Sequence, residues 1–178
     1  MRVGLTFNLK QEIGGEAQEP PGGGAKKTGG SAKNTGGGAE VRADAQAEWD
    51  SSETIAAVRA ALEERHEVVP IDAGGDPWGE LLRARPDIVF NMAEGAVGAC
   101  REGFIPAILE HLGIPYTASD PLTLNICLDK SRTKEILAYY GLPVAPFYVA
   151  ETADFESDGL RYPLMVKPLH EGSSIGIR

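Results

Sequence analysis

Apolar residues recur with two alternating spacings along most of this chain, and the alternation predicts an α/β fold. Short apolar runs predict four strands, at residues 3–9, 67–72, 87–92 and 114–117. Between these runs the apolar residues stand three or four positions apart, as in the series Ile55, Val58 and Leu62, which predicts amphipathic helices. Strands that alternate with helices in this way form parallel sheets with helices on both faces.

Several helix boundaries are predicted from capping residues. Asp50 and Glu53 have the spacing of a capping box, and Asp76 followed by proline marks another helix start. Gly113 is expected to end a helix over residues 106–112 as a left-handed cap. Two further helices are predicted to begin after Asp120 and Asp129.

Residues 11–41 interrupt this pattern. They consist mainly of Gly, Lys, Ala, Pro, Thr and Asn, with almost no large apolar side chain. Such a segment cannot bury enough surface to offset the entropy of ordering it. We therefore predict a flexible insertion in the connection between the first strand and the first helix. Lys26 and Lys27 within it are interpreted as solvated side chains rather than as a phosphate-binding patch.

The loops that follow the strands are the candidate binding region, because ligands of open parallel sheets bind beyond the carboxyl ends of the strands. The loop after the third strand, residues 93–103, is rich in small residues. It also carries two carboxylates and a guanidinium, from Glu94, Glu102 and Arg101. A solvated loop without a ligand remains an alternative on this pattern alone.

The last part of the chain carries the most specific pattern. The apolar run at residues 163–166 predicts a buried strand, and residues 147–149 suit another. Lys167 follows the run, and residues 171–176 form a loop of Gly and Ser. Such loops present backbone N–H groups that bind phosphate oxygens. An ordinary Gly-Ser turn is the alternative, but the adjacent lysine favours a nucleotide site.

Composition narrows the function classes. A net charge of −9 argues against nucleic acid as a partner, because the chain has no basic surface to offer. No apolar run approaches the roughly 20 residues of a membrane span, so no membrane association is expected. Cys100 and Cys127 are isolated, without metal-binding or disulfide spacing, and suit a reducing compartment. We expect a cytoplasmic protein.

Three ordered motifs resemble the ATP-grasp superfamily, and most closely the D-alanine–D-alanine ligase family. They read VKPLHEGSSIG at the end of the chain, LGIPYTASDPLTLNICLDKSRTKEIL before it, and GLPVAPFYV between them. The resemblance implies a parallel-sheet, Rossmann-like pre-ATP-grasp domain over residues 1–119, with the insertion at about 11–41. Residues 120–178 would then be the first part of an α+β ATP-grasp central domain.

The resemblance also implies roles for individual residues. Lys130 and Lys167 match the two lysines that contact ATP phosphates in this family. Ser173 matches a serine near the reacting carboxylate and phosphate, and so is the candidate catalytic residue. The loop that covers the triphosphate matches Glu171, Gly172, Ser173 and Ser174.

The chain departs from the family at the residues expected to bind the amino acid. The family's first loop carries a glutamate that holds the substrate ammonium, and Glu48 is the nearest candidate here. Glu94 stands where the D-alanine enzymes commonly have a histidine. Glu102 lies in an Arg-Glu-Gly element that resembles the family's Glu-Asp-Gly. These differences leave open which amino acids are joined.

The resemblance implies ATP and Mg²⁺ as cofactors and small amino acids as substrates, joined through an acyl phosphate for cell-wall peptide synthesis. The family's magnesium ligands are expected after Arg178, so the chain alone is expected to be inactive. The alternatives are an ATP-grasp ligase for other amino acids or peptides, and a non-catalytic amino-acid-binding module. The sequence does not determine the oligomeric state, for which a homodimer is one option.

Overall fold

The computed structural model describes residues 1–11, 44, 46–154 and 159–177. In this part the chain forms an α/β unit that begins with a strand and ends in irregular segments. The strands are β1 (Arg2–Phe7), β2 (Glu67–Asp72) and β3 (Ile88–Asn91). The helices are α1 (Ser52–Glu63), α2 (Pro77–Ala84), α3 (Phe104–Leu112), α4 (Pro121–Leu128) and α5 (Lys130–Tyr139).

The three strands form a parallel sheet in the order β2-β1-β3. The predicted alternation of strands and helices is therefore confirmed. Strand β1 is central, and the chain moves to one side of it for β2 and crosses to the other side for β3. The carboxyl ends of β1 and β3 consequently lie next to each other, which is the arrangement that forms a ligand crevice in open sheets.

Helices cover both faces of the sheet, as predicted. On one face, Leu5, Phe7 and Val68 pack with Ile55 of α1. On the other face, side chains of β2 and β3 pack against α2 and α3, and the buried residues are Ile71, Leu81, Val89, Ala93, Ile105, Ile108 and Leu109. Successive residues of a strand point to opposite faces, so β2 and β3 each contribute to both cores.

The first helix begins one residue later than predicted. Ser51, not Asp50, is its N-cap, and the Ser51 side chain accepts a hydrogen bond from the Thr54 amide. Asp50 is used elsewhere: its amide donates to the Asn8 carbonyl (2.9 Å), and its own carbonyl accepts from Lys10 (2.8 Å). The caps predicted at Asp76, Asp120 and Asp129 are confirmed, as is the left-handed Gly113.

The predicted fourth strand is reduced to a single bridge. Tyr116 pairs with Val89 of β3 in the parallel sense. The Val89 amide donates to the Pro115 carbonyl, and the Thr117 amide donates to the Val89 carbonyl. The segment therefore extends the sheet edge by one residue only.

The strands predicted at residues 147–149 and 163–166 are wrong. Neither segment forms a strand, and Met165 and Val166 are 71% and 83% exposed. An apolar run forms a strand only where a neighbouring strand satisfies its backbone groups and a core covers its side chains.

The predicted flexible insertion, residues 11–41, lies outside the described residues except for Gln11. The division into domains at residue 119 stays a prediction. In the described segments, no helix is both long and apolar enough to cross a membrane.

Candidate functional site

The candidate site is built on the adjacent carboxyl ends of β1 and β3. Asn8 follows β1 directly and is 1% exposed. Its side-chain oxygen accepts from the amides of Glu94 (3.0 Å) and Gly95 (2.8 Å) in the loop after β3. One buried amide side chain thus sets the path of the loop that carries Glu94.

The same loop needs glycine at position 95. Gly95 has a φ of +74°, and a Cβ built there would clash with the Arg101 backbone. The Trp49 indole N–H donates to the Gly95 carbonyl over 3.2 Å. Two side chains of the connection after β1, Asn8 and Trp49, therefore hold the backbone of the loop after β3.

Arg101 lies at the centre of the site. Its guanidinium donates to Glu48 Oε2 (2.7 Å) and to the His170 carbonyl (2.6 Å), and Glu171 Oε2 lies 3.3 Å away. The side chains of Arg101 and Glu48 are only 7% and 9% exposed, so this ion pair is buried. Three segments that are distant in sequence meet at one side chain.

Residues at the start of α5 hold the segment that leads into the Gly-Ser loop. The Lys130 ammonium donates to the carbonyls of Leu169 (3.2 Å) and Glu171. Asp129 caps α5 through the Ser131 amide and hydroxyl, and its other oxygen lies 3.2 Å from His170 Nε2. These hydrogen bonds hold the pKa of Asp129 below its usual range, with the Ser131 hydroxyl as the largest cause.

The tip of the loop has an unusual backbone. Ser173 and Ser174 both have positive φ, 44° and 62°, a conformation that costs a non-glycine residue free energy and clusters at functional sites. Ile175, which follows them, is buried, and the Gly176 amide donates to Asp44 Oδ2 over 2.7 Å. At Gly172 an added Cβ would clash with the Glu48 carboxylate, so the loop lies directly against that side chain.

The two predicted lysines lie close enough to interact. Burial lowers the pKa of Lys130 below its usual value, and the positive charge of Lys167 lowers it further. Lys167 itself is exposed. Two ammonium groups that repel each other beside an N–H-bearing loop create a positive region suited to an anionic ligand.

The predicted substrate carboxylates carry raised pKa values. Partial burial raises the pKa of Glu94 to about 7, and the negative charges of Glu102 and Glu48 add to the rise. Burial also raises the pKa of Glu102, with Glu48 as the next cause. Perturbed carboxylates of this kind are frequent at functional sites.

A cleft of about 400 Å³ opens between these loops. Glu48, Trp49, Arg101 and Glu171 contribute to its walls, together with small residues of the loop after β3. The structure thus brings together the residues singled out in sequence: Glu48 contacts the loop of residues 171–174 at Gly172, and the Lys130 ammonium donates to the Leu169 and Glu171 carbonyls. The positive charge of Lys167 acts on Lys130, and the negative charge of Glu48 acts on Glu94 and Glu102. Their roles toward a ligand stay predictions.

Sequence reasoning missed the residues that connect the loops. Asn8, Arg101 and Asp129 were not predicted as site residues, although the Arg-Glu-Gly element contained one of them. Their positions in the sequence were the available signal. Asn8 directly follows β1 and Arg101 lies in the loop after β3, at the sheet edge already predicted to bind ligands, and Asp129 was already predicted to cap α5. Among the described residues, no three side chains of His, Cys, Asp or Glu could hold a metal ion together.

Comparison with known proteins yields consistent relatives. No family model matches the chain. It is 41% identical over 126 residues to the D-alanine–D-alanine ligase of Gluconobacter oxydans, which covers 68% of this chain and 41% of that protein. The corresponding enzyme of Geobacter sulfurreducens is 39% identical over 125 residues, with 68% and 39% covered.

A solved structure shares the fold. The D-alanine–D-alanine ligase of Bacillus anthracis complexed with ATP superposes with a TM-score of 0.60 at 24% identity, covering 96% of this chain and 48% of that one. The chain spans about 40% of the length of the curated relatives it matches. By sequence and by fold, the chain is a relative of the D-alanine–D-alanine ligases and corresponds to the N-terminal portion of these ATP-grasp proteins.

Proposed function

We propose that this chain forms the N-terminal part of an ATP-dependent carboxylate–amine ligase that joins two amino acids in the manner of D-alanine–D-alanine ligases. ATP would transfer its γ-phosphoryl group to the carboxylate of the first amino acid, which forms an acyl phosphate and releases ADP. The amine of the second would then attack the acyl phosphate, releasing inorganic phosphate and leaving a dipeptide bond. We expect the reaction in the cytoplasm, where ATP and amino acids are available, as a step toward cell-wall peptide precursors.

The observation that carries this proposal is the meeting of Lys130 with the Gly-Ser loop. An ammonium group has three N–H donors. Two are directed at the carbonyls of Leu169 and Glu171, so the third is available to a phosphate oxygen. Phosphoryl transfer requires positioning and charge neutralisation more than covalent catalysis. Lys130 and the exposed Lys167 supply positive charge, and the amides of Ser173 and Ser174 supply donors.

The cleft beside the loop is the proposed site of the first amino acid. Glu48 lines this cleft, and the negative charge of Glu48 acts on Glu94 and Glu102. An ammonium group would favour the ionised form of Glu94 and Glu102, whose protonation is otherwise promoted by burial. Glu94 in place of a histidine favours a substrate with a positive group near that position. The proposed substrates therefore include amino acids other than D-alanine.

Magnesium belongs to the chemistry proposed for the complete enzyme. The described residues provide no set of oxygen ligands for it. The contribution of this chain is to bind phosphate oxygens, to orient the first amino acid and to keep the loop over the nucleotide.

Exchange into a relative tests the proposed reaction. This chain would replace the matching region of the Gluconobacter oxydans ligase, and phosphate release that depends on D-alanine would be followed. We expect activity in the folded chimera and a loss of at least ten-fold on Lys130→Ala or Lys167→Ala, because a charge-assisted hydrogen bond contributes roughly 1.5–3 kcal/mol. Lys134→Ala is the matched control, since its ammonium lies over the Phe147 ring.

Two results would contradict the proposal. A chimera that unfolds cooperatively but shows no amino-acid-dependent phosphate release would exclude the ligase reaction and favour a binding module. Turnover that is unchanged in both lysine variants would place the nucleotide elsewhere. Preference for another amino acid over D-alanine would retain the ligase class and revise the substrate.

A further inference from the structure

Arg101 makes contacts with three segments of the chain, although the proposed reaction assigns this residue no role. It lies in the loop after β3 and is buried. Its partners are Glu48, the His170 carbonyl and Glu171. Glu48 and His170 are 53 and 69 positions away in sequence, and Glu171 directly follows His170. A single guanidinium therefore joins the loop after β1, the loop after β3 and the Gly-Ser loop.

A buried cluster of an arginine with carboxylates contributes little net stability to a fold. Removing the charges from water costs several kcal/mol per ion, so such clusters are often no more stabilising than apolar side chains of similar size. The planar fork of arginine does fix the direction of each hydrogen bond. The cluster around Arg101 is therefore better suited to setting geometry than to adding stability.

The Gly-Ser loop depends on contacts of this kind for its position. The run that precedes it, residues 163–166, is exposed and pairs with no described strand. The loop is held instead by Lys130 and Asp129 from α5 and by Arg101 from the other side. Glu48, fixed by Arg101, also lies in contact distance of Gly172.

We propose that Arg101 is a positioning residue that sets the Gly-Ser loop against the amino-acid cleft without contacting phosphate itself. This inference rests on the proposed function, because the geometry it sets is that of the ATP-phosphate loop. By holding His170 and Glu171 on one side and Glu48 on the other, Arg101 places the Ser173 and Ser174 amides beside the cleft. The loop that covers the phosphates and the wall of the amino-acid cleft then move together.

Hydrogen exchange on the whole chain tests the docking without any ligand. The Gly176 amide donates to Asp44, and the Ile175 amide donates to the Gly172 carbonyl. Arg101→Gln should increase the exchange rates of these amides at least ten-fold, because the loop loses its anchor. Arg101→Lys should give an intermediate rate, since a lysine cannot reach all three acceptors in the same geometry.

A second variant keeps the test decisive if Arg101→Gln fails to fold. Glu171→Gln removes a single ion pair at a side chain that is 37% exposed, and it should raise the same exchange rates several-fold. Arg59→Gln is the control, because it removes an exposed pair with Glu63 on α1 and should leave the loop unchanged. Unchanged exchange at Ile175 and Gly176 in both site variants would overturn the proposal.

A nucleotide measurement separates positioning from simple stability. ATP would be titrated into the wild type and the Arg101→Lys variant, with melting temperatures recorded in parallel. We expect the variant to bind ATP at least five-fold more weakly while its melting temperature stays close to that of Arg59→Gln. Equal ATP affinity in the two proteins would refute the positioning role. Absence of ATP binding in the wild type would refute the proposed function instead, whatever the exchange rates show.

Discussion

Glu94 illustrates how a single residue at this site depends on its surroundings. It is half-buried in the loop after β3, and burial together with Glu102 and Glu48 raises its pKa to about 7. A carboxyl whose pKa is higher in the folded than in the unfolded protein binds more protons in the folded state. Its contribution to stability is therefore present at low pH and is lost as the pH rises through about 7.

We predict that Glu94→Gln weakens this pH dependence. Relative to the wild type, the variant should gain about 1 kcal/mol in the free energy of unfolding between pH 4 and pH 8, a modest value because solvent screens part of the carboxyl. Urea unfolding across that range measures it. Glu64→Gln, at an exposed position after α1, is the control. A Glu94 variant whose pH dependence equals that of the wild type would refute the assignment.

Residue types at the site were more predictable than their contacts. Lys130, Lys167 and the Gly-Ser loop could be selected because charge and backbone freedom are properties of the residues themselves. The pairing of Glu48 with Arg101 could not, because it joins segments that are 53 positions apart in sequence. Glu48 was expected near the site, but its present partner is a guanidinium of the same chain.

The caps of α4 and α5 look alike in sequence but differ in what they hold. Asp120 accepts from the Thr123 amide (3.0 Å) and hydroxyl, all within its own helix start. Asp129 accepts from the amides of Ser131 and Arg132, and it also approaches His170 across 41 positions of sequence. The second cap therefore connects a helix to the Gly-Ser loop.

Alanine substitution should expose this difference. Asp120→Ala removes the N-cap of α4 only, so it should lower the free energy of unfolding less than Asp129→Ala does. Asp129→Ala should cost about 2 kcal/mol, because the contact with His170 is lost as well. Urea unfolding of both variants provides the comparison. An equal cost for the two substitutions would show that the contact between Asp129 and the loop contributes nothing.

Helices and strands were not equally predictable. Caps such as Asp76, Asp120 and Asp129 are local, and the helices that they begin were found at the predicted places. Strands depend on a partner. The runs at residues 67–72 and 87–92 both pair with β1, whereas the equally apolar run at 163–166 pairs with no described segment and stays exposed. Periodicity alone cannot distinguish these cases.

At the scale of the whole molecule, the candidate binding residues lie at one edge of the sheet. The loops after β1 and β3 form the cleft, and the start of α5 brings Lys130 and the Gly-Ser loop to its rim. The rule that ligands bind beyond the carboxyl ends of parallel strands predicted this edge from the sequence. The contact of the Gly-Ser loop with that edge could not be predicted, because it runs through Arg101 and Glu48.

The central claim is that this rim binds the phosphates of ATP, and NMR titration of the isotope-labelled 178-residue chain tests it directly. With ATP, the largest chemical-shift changes should fall on the amides of Lys130 and residues 169–176. Adenosine, which lacks phosphates, should not produce them. Lys130→Ala and Lys167→Ala should each weaken the response about ten-fold or more. Changes centred on another part of the chain, or no response to millimolar ATP, would contradict the account.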